Sequence, residues 1–192
     1  MALKAIIHKA GLNVSDLDNN LYGDHTLTVA RHPSETDERM MVRILAFALN
    51  ADERLQFGRG ISTDDEPALW LKDDTGRILK WIEVGLPDER LLRRAAGRAD
   101  EVIVLAYGGR TVDIWWQKDL ATLSKLNNLK VLSIAQEDSR ALAALAERNM
   151  LLTCTIQDGQ IMRVDPAVFA AVIRSVDDGL PIDAARIGDR TE

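Results

Sequence analysis

"EPALWLKDDTGRILKWIEVGLPDERLLRRAAGRADEVIVLAYGG", residues 66–109, changes its hydrophobic period as it runs. Two aromatic-punctuated strands meet at Asp73-Asp74-Thr75-Gly76, a cluster of turn-forming residues. Pro87 then stands near a helix start, and Leu91, Leu92, Ala95, Ala96 and Ala99 follow along one side. "EVIVLAYGG" is an apolar run with the composition of a buried strand. Strand, helix, strand in that order implies a parallel crossover, which is right-handed in nearly all proteins.

Upstream, "LKAIIHKAGLNV" (3–14) and "HTLTVARH" (25–32) have strand composition on either side of the turn-rich "SDLDNNLYGD", which predicts an opening antiparallel pair. "HPSETDERMMVRILAFALNADERL" follows, with Pro33, a candidate N-cap at Ser34, acids in the first turn and apolar residues at helical spacing. It predicts a helix from Ser34 to Leu55, and "RGISTDDEP" predicts a loop. Downstream the composition predicts a strand at "TVDIWW", a helix at "KDLATLSKL", a strand at "LKVLSI" and a helix at "EDSRALAALAERN". "LLTCTIQDGQIMRV" predicts a hairpin about Asp158-Gly159, since Asp-Gly suits a tight turn. The pattern defines one α/β domain over residues 1–165. In residues 166–192, "PAVFAAVI" predicts a short helix and "DDGLPIDAARIGDRTE" a mobile tail.

The chain has 192 residues, 46% hydrophobic and 28% charged, enough apolar surface for one core. A net charge of -6 disfavours nonspecific attraction to phosphate backbones, although a local basic stripe acts independently of the total. One cysteine, Cys154, excludes an intrachain disulfide and a multi-cysteine metal site, and fits the cytoplasm. No secretory signal and no apolar run of membrane-spanning length is present.

Several acids carry the candidate chemistry. Glu38, Met41, Leu45 and Leu49 fall at intervals of three and four, so Glu38 projects with the apolar stripe, as a site residue or as an acid complementing the helix dipole. Alternation along the second hairpin strand puts Trp81 and Glu83 on one face and Lys80, Ile82 and Val84 on the other. A carboxylate there needs a hydrogen-bond donor, a cation or a metal ion, and an Arg of the next helix is one such cation. Asp64, Asp65 and Glu66 make either a solvated turn or, with Glu38 and Glu83, a site for one divalent cation.

Arg90, Arg94 and Arg98 form a row at helical spacing, with Arg93 beside it, on the side away from Leu92 and Ala96. The row is a phosphate-contacting surface or a solvated face. Tyr107-Gly108-Gly109 ends the buried strand, where open α/β sheets place sites, or simply makes a turn. Trp115-Trp116 on a strand would put one indole on each face. His8, His25 and His32 show no metal-ligand spacing, and no hydrolase nucleophile, dinucleotide or phosphate-loop motif occurs.

"HPSETDERMMVRILAFALNADERLQF", "DDEPALW", "WIEVGLPDER" and "CTIQDG", in that order, resemble the YaeQ family of bacterial proteins, from Met1 to about Val164. The resemblance implies a variant of the PD-(D/E)XK nuclease fold, a mixed sheet flanked by helices with a helix–strand–strand–strand–helix–strand core. It also implies a magnesium site for phosphodiester hydrolysis, built from an acid of the first helix, an Asp after Pro and an acid two residues before Lys. Glu38 matches the first and Glu83 the last. Ala68 follows Pro67, so the middle acid would be Asp65 or Glu66, and Gly85 stands where the Lys is expected. Lys80 lies on the wrong face to replace it, which leaves Arg90, Arg93 or Arg94 as the nearby cation.

The metal set so implied is Glu38, Glu66 and Glu83, with Asp65 and Arg94 completing the catalytic set and no organic cofactor. The expected function is a degenerate acidic site that binds nucleic acid, nucleotide or another phosphate, or else a protein partner, away from membranes. The alternative is an active magnesium-dependent phosphodiesterase, on nucleic acid or on a small phosphorylated molecule.

Overall fold

In the computed structural model of the chain, residues 4–59 and 66–157 are described in full, and 160–165 and 173–175 by their backbone. The described elements are β1 (Ile6–Asp16), β2 (Leu21–Arg31), α1 (Asp37–Ala48), β3 (Leu55–Phe57), β4 (Leu69–Lys72), β5 (Ile78–Val84), α2 (Glu89–Ala96), β6 (Ala99–Tyr107), α3 (Arg110–Leu123), β7 (Leu129–Ile134), α4 (Gln136–Ala143), β8 (Asn149–Gln157), β9 (Gln160–Asp165) and β10 (Ile173–Ser175). They form a four-stranded sheet, order β2-β1-β8-β9, and a six-stranded sheet, order β10-β7-β6-β5-β4-β3. Both are mixed: β1 pairs antiparallel with β2 but parallel with β8, and β5, β6 and β7 run parallel while β3 and β4 are antiparallel.

The packing follows from α1. Every residue from Met40 to Ala48 is buried, Arg43 among them, so the helix is covered all round. One core cluster joins its side chains to Leu12, Val14 and Leu152 of the small sheet, to Ile82, Val84 and Leu105 of the large one, and to Leu142 of α4. A second cluster lies on the opposite face of the large sheet, where Trp81, Val102 and Val104 meet Leu92 and Ala95 of α2 and Trp115 and Trp116 of α3. The layers are therefore small sheet, α1 with α4, large sheet, and α2 with α3. Within this frame α1, β3, β4, β5, α2 and β6 follow one another as helix–strand–strand–strand–helix–strand.

Several expectations need correction. The first helix is N-capped by Thr36, whose hydroxyl accepts from the Arg39 N–H, not by Ser34. It ends at Ala48, where Asn50 turns its amide back to the Ala46 carbonyl, and Leu55–Phe57 is strand β3. "TVDIWW" is no strand: it opens α3, with Val112, Trp115 and Trp116 buried on one helical face. Tertiary cover of the three-and-four spacing outweighed the strand propensity of the individual residues. The expected short helix reaches into Ile173, which instead begins β10 against β7, while residues 166–172 and 176–192 lie outside the described set, as do Asp158 and Gly159. Among the described residues no helix is long and apolar enough to cross a membrane.

Candidate functional site

Strand β5 ends at Val84, paired with Leu105 two residues before parallel β6 ends at Tyr107, and Glu83 lies at this edge. Glu83 lies between Ile82 and Val84, which face α1, so strand alternation turns it toward α2 with Trp81. Its side chain is buried, and the Trp81 indole N–H donates to its Oε1 at 2.9 Å. The backbone N–H of Ala68, the residue just before neighbouring strand β4, also donates to the carboxylate. Ala68 stands where the resemblance expects an acid, so that position does lie beside Glu83 but contributes a donor. Burial pushes the Glu83 carboxyl up to about 7; the Trp81 bond, the Arg39 charge, the Ala68 bond and the Arg94 charge oppose the rise.

The two guanidinium groups come from different helices. Arg94, in the row read as a phosphate-contacting surface or a solvated face, is half-buried, and its charge acts on Glu83. Arg39 is anchored from behind: its Nη1 meets Oε1 of the buried Glu35 at 2.7 Å. Glu35 Oε2 in turn meets Nη2 of the buried Arg43 at 2.7 Å, so one carboxylate clamps two arginines one helical turn apart. Arg39 also faces Tyr107 at the end of β6. Burial pushes the Tyr107 phenol above its ordinary value, the Arg39 charge opposes this, and Glu38 and Glu35 reinforce it. Gly85, in the expected lysine position, has φ +93, a conformation that disfavours a side chain, and its missing Cβ would sit 3.8 Å from the Tyr107 ring. A lysine is therefore excluded here by backbone geometry as well as by sequence.

The other expected acids go elsewhere. Glu38 accepts a 2.6 Å hydrogen bond from Ser139 Oγ of α4. Glu66 accepts from the Arg59 backbone N–H at 3.1 Å and pairs with its guanidinium at 3.6 Å. Asp65 lies outside the described residues. Among the described residues, no three His, Cys, Asp or Glu side chains form a group able to hold a metal ion. Magnesium takes several oxygen ligands, whereas the Glu83 carboxylate meets N–H donors and guanidinium charges. The described residues thus do not fit the ion.

A cleft of about 340 Å³ opens beside Arg94, lined also by Asp88, Arg90 and Leu91. Asp88 caps α2 by accepting from the Leu91 N–H at 2.8 Å, and Arg93 points away to Glu89 at 3.5 Å. Sequence reading singled out Glu83, Arg94 and the strand end at Tyr107, but not Arg39 or Glu35. "SETDERMMVR" does place Glu35, Arg39 and Arg43 at successive intervals of four, the only available signal for the clamp.

The fold and this edge define a single-domain α/β protein with mixed sheets flanked by helices. The chain belongs to the YaeQ family, whose model, described as YaeQ protein, matches residues 1–167. It is 50% identical over 165 residues to the "Uncharacterized protein YaeQ" of Escherichia coli (strain K12), covering 86% of this chain and 91% of that one. The Salmonella typhi relative of the same name is also 50% identical over 165 residues, with the same coverage. The crystal structure of YaeQ protein from Xanthomonas axonopodis pv. citri superposes with a TM-score of 0.85 at 44% identity, covering 90% of this chain and 98% of that one. That from Pseudomonas syringae gives 0.85 at 36%, covering 90% and 96%.

Proposed function

We propose that this edge binds the phosphate group of a nucleic acid or nucleotide, with Arg39 and Arg94 as the cationic walls and the Arg90 cleft as the approach. The observation that carries the reading is that the charges of two guanidiniums, one from α1 and one from α2, act on the same buried carboxylate at the carboxyl end of β5, while Arg94 and Arg90 line one cleft there. Guanidinium groups match phosphate oxygens in geometry. Arginine is a poor proton acceptor, so the arrangement suits binding better than hydrolysis. The single buried cysteine fits a cytoplasmic protein.

A second reading, an active magnesium-dependent phosphodiesterase on a PD-(D/E)XK-type fold, draws support from the helix–strand–strand–strand–helix–strand order and from Ala68 beside Glu83. One experiment addresses both. Fluorescence anisotropy with labelled DNA, RNA and nucleotides is run on wild type and Arg90→Glu/Arg94→Gln, with and without magnesium, and the products are resolved by electrophoresis. The binding reading expects weaker binding in the variant and a salt slope shallower by about one or two phosphate contacts. Equal binding by both proteins overturns it, and magnesium-dependent cleavage lost in Glu83→Gln establishes the second.

A further inference from the structure

The outer face of the small sheet is the other unexplained surface. Its inner residues pack on α1, and alternation turns Ile7, Lys9, Gly11, Asn13 and Ser15 of β1 outward. They stand in register with Ala30, Thr28, Thr26, Asp24 and Tyr22 of β2, and Gly11 also pairs with Leu151 of β8. Leu151 is 86% exposed, and it leans over Gly11 so closely that an added Cβ would lie 3.0 Å from its Cδ2. On β1, β2 and β8 the outward positions carry two charges, Lys9 and Asp24, in a chain that is 28% charged, and depletion of charge marks the centre of an interface.

We propose that this face is the interface of a symmetric dimer, packed sheet on sheet about a two-fold axis along the row Thr26, Gly11, Leu151. The positions of Lys9 and Asp24 argue for a second copy over any other occupant. Lys9 lies two residues from Gly11 along β1, and Asp24 lies opposite Asn13, two residues to the other side. A two-fold along the row therefore carries Asp24 of the second copy to the strand beside Lys9, and gives the reciprocal pair at the same time. The same axis sets Leu151 against Leu151, each leaning over the Gly11 of its own copy. Strands of the two copies run nearly aligned, as packed sheets do. Three strands, β2, β1 and β8, spaced about 4.8 Å apart and about 30 Å long give a footprint of roughly 430 Å² before side-chain relief. That is about half of the roughly 800 Å² of accessible surface per partner in standard interfaces, and side-chain relief adds to it.

Sedimentation equilibrium on the full chain tests this. Wild type is expected to be a dimer at micromolar concentration. Leu151→Asp and Lys9→Asp are each expected to raise the dissociation constant about tenfold or more, and Lys9→Asp combined with Asp24→Lys to restore it. These positions are exposed, and far-UV circular dichroism confirms that each variant is folded. A wild type that stays monomeric at hundreds of micromolar overturns the proposal, as does a dimer indifferent to Leu151→Asp and to the charge exchange.

Discussion

The indole nitrogen of Trp81 and the carboxylate of Glu83, two residues apart on one strand, are joined by a buried 2.9 Å hydrogen bond. The bond explains how a carboxylate is tolerated inside the large sheet: a donor on the same face travels with it. Trp81→Phe keeps most of the ring and removes the donor. A hydrogen bond to a charged group contributes about 1.5–3 kcal/mol, so urea denaturation at pH 8 is expected to show a loss of that order. At pH 5, where the carboxyl is protonated in the folded state, the loss is expected to be smaller.

The pH dependence of stability has a definite sign. Glu83 is raised from an ordinary 4.5 to about 7 on folding, chiefly by burial. Between those values the folded protein holds more protons than the unfolded chain, so the contribution is fully present below about 4.5 and lost as pH rises through 7. The difference corresponds to roughly 3 kcal/mol. Glu83→Gln is expected to flatten this slope, which denaturation midpoints at pH 5 and 8 would measure. An unchanged slope would mean that Glu83 ionises normally.

The clamp on Arg39 and Arg43 rests on Glu35. Glu35→Gln removes the counter-charge of Arg43, a side chain 1% exposed, and breaking a buried pair from one side costs about 3–5 kcal/mol. Thermal melts are expected to show it. Arg43→Met with Glu35→Leu is expected to recover much of the stability, because the double change leaves no buried charge behind.

Ser139 is fully buried and has one proton for two acceptors, Glu38 Oε1 at 2.6 Å and the Gln136 carbonyl at 3.1 Å. The shorter contact receives it. Ser139→Ala leaves Glu38 without this donor at the α1–α4 junction and is expected to cost about 1–3 kcal/mol in chemical denaturation.

Gly58 lies so close to the Pro67 carbonyl that a Cβ would overlap it, and its N–H donates to the Ala68 carbonyl at 3.0 Å. Gly58→Ala is therefore expected to displace the segment whose Ala68 N–H holds Glu83. The signature would be a higher Glu83 pKa by NMR titration together with lower stability, an effect reaching the edge from a residue that does not line it.

Most of the elements were legible in the local sequence because their signals are local. The hairpin announces itself through Asp73–Gly76, α2 through Pro87 and its leucines, and β6 through an unbroken apolar run. Trp115 and Trp116 misled because aromatic pairs favour strands, while their burial depends on α2 arriving from elsewhere in the chain. The site was half legible. Glu83 is conspicuous as an acid inside an apolar strand, but its donors are an indole and a backbone N–H, which no carboxylate-spacing rule seeks. Glu38 and Glu66 fit such a rule and were drawn elsewhere by Ser139 and Arg59.

The parallel pairing of β1 with β8 joins residues 9–16 to residues 149–156. During synthesis the small sheet cannot close until nearly all of the described chain has left the ribosome. Until then α1, buried from Met40 to Ala48 in the finished fold, has a cover on one side only. Emerging chains that stop short of Asn149 therefore leave this helix partly uncovered, and transiently exposed apolar surface of that kind invites aggregation. The last strand to arrive decides when the first helix becomes safe.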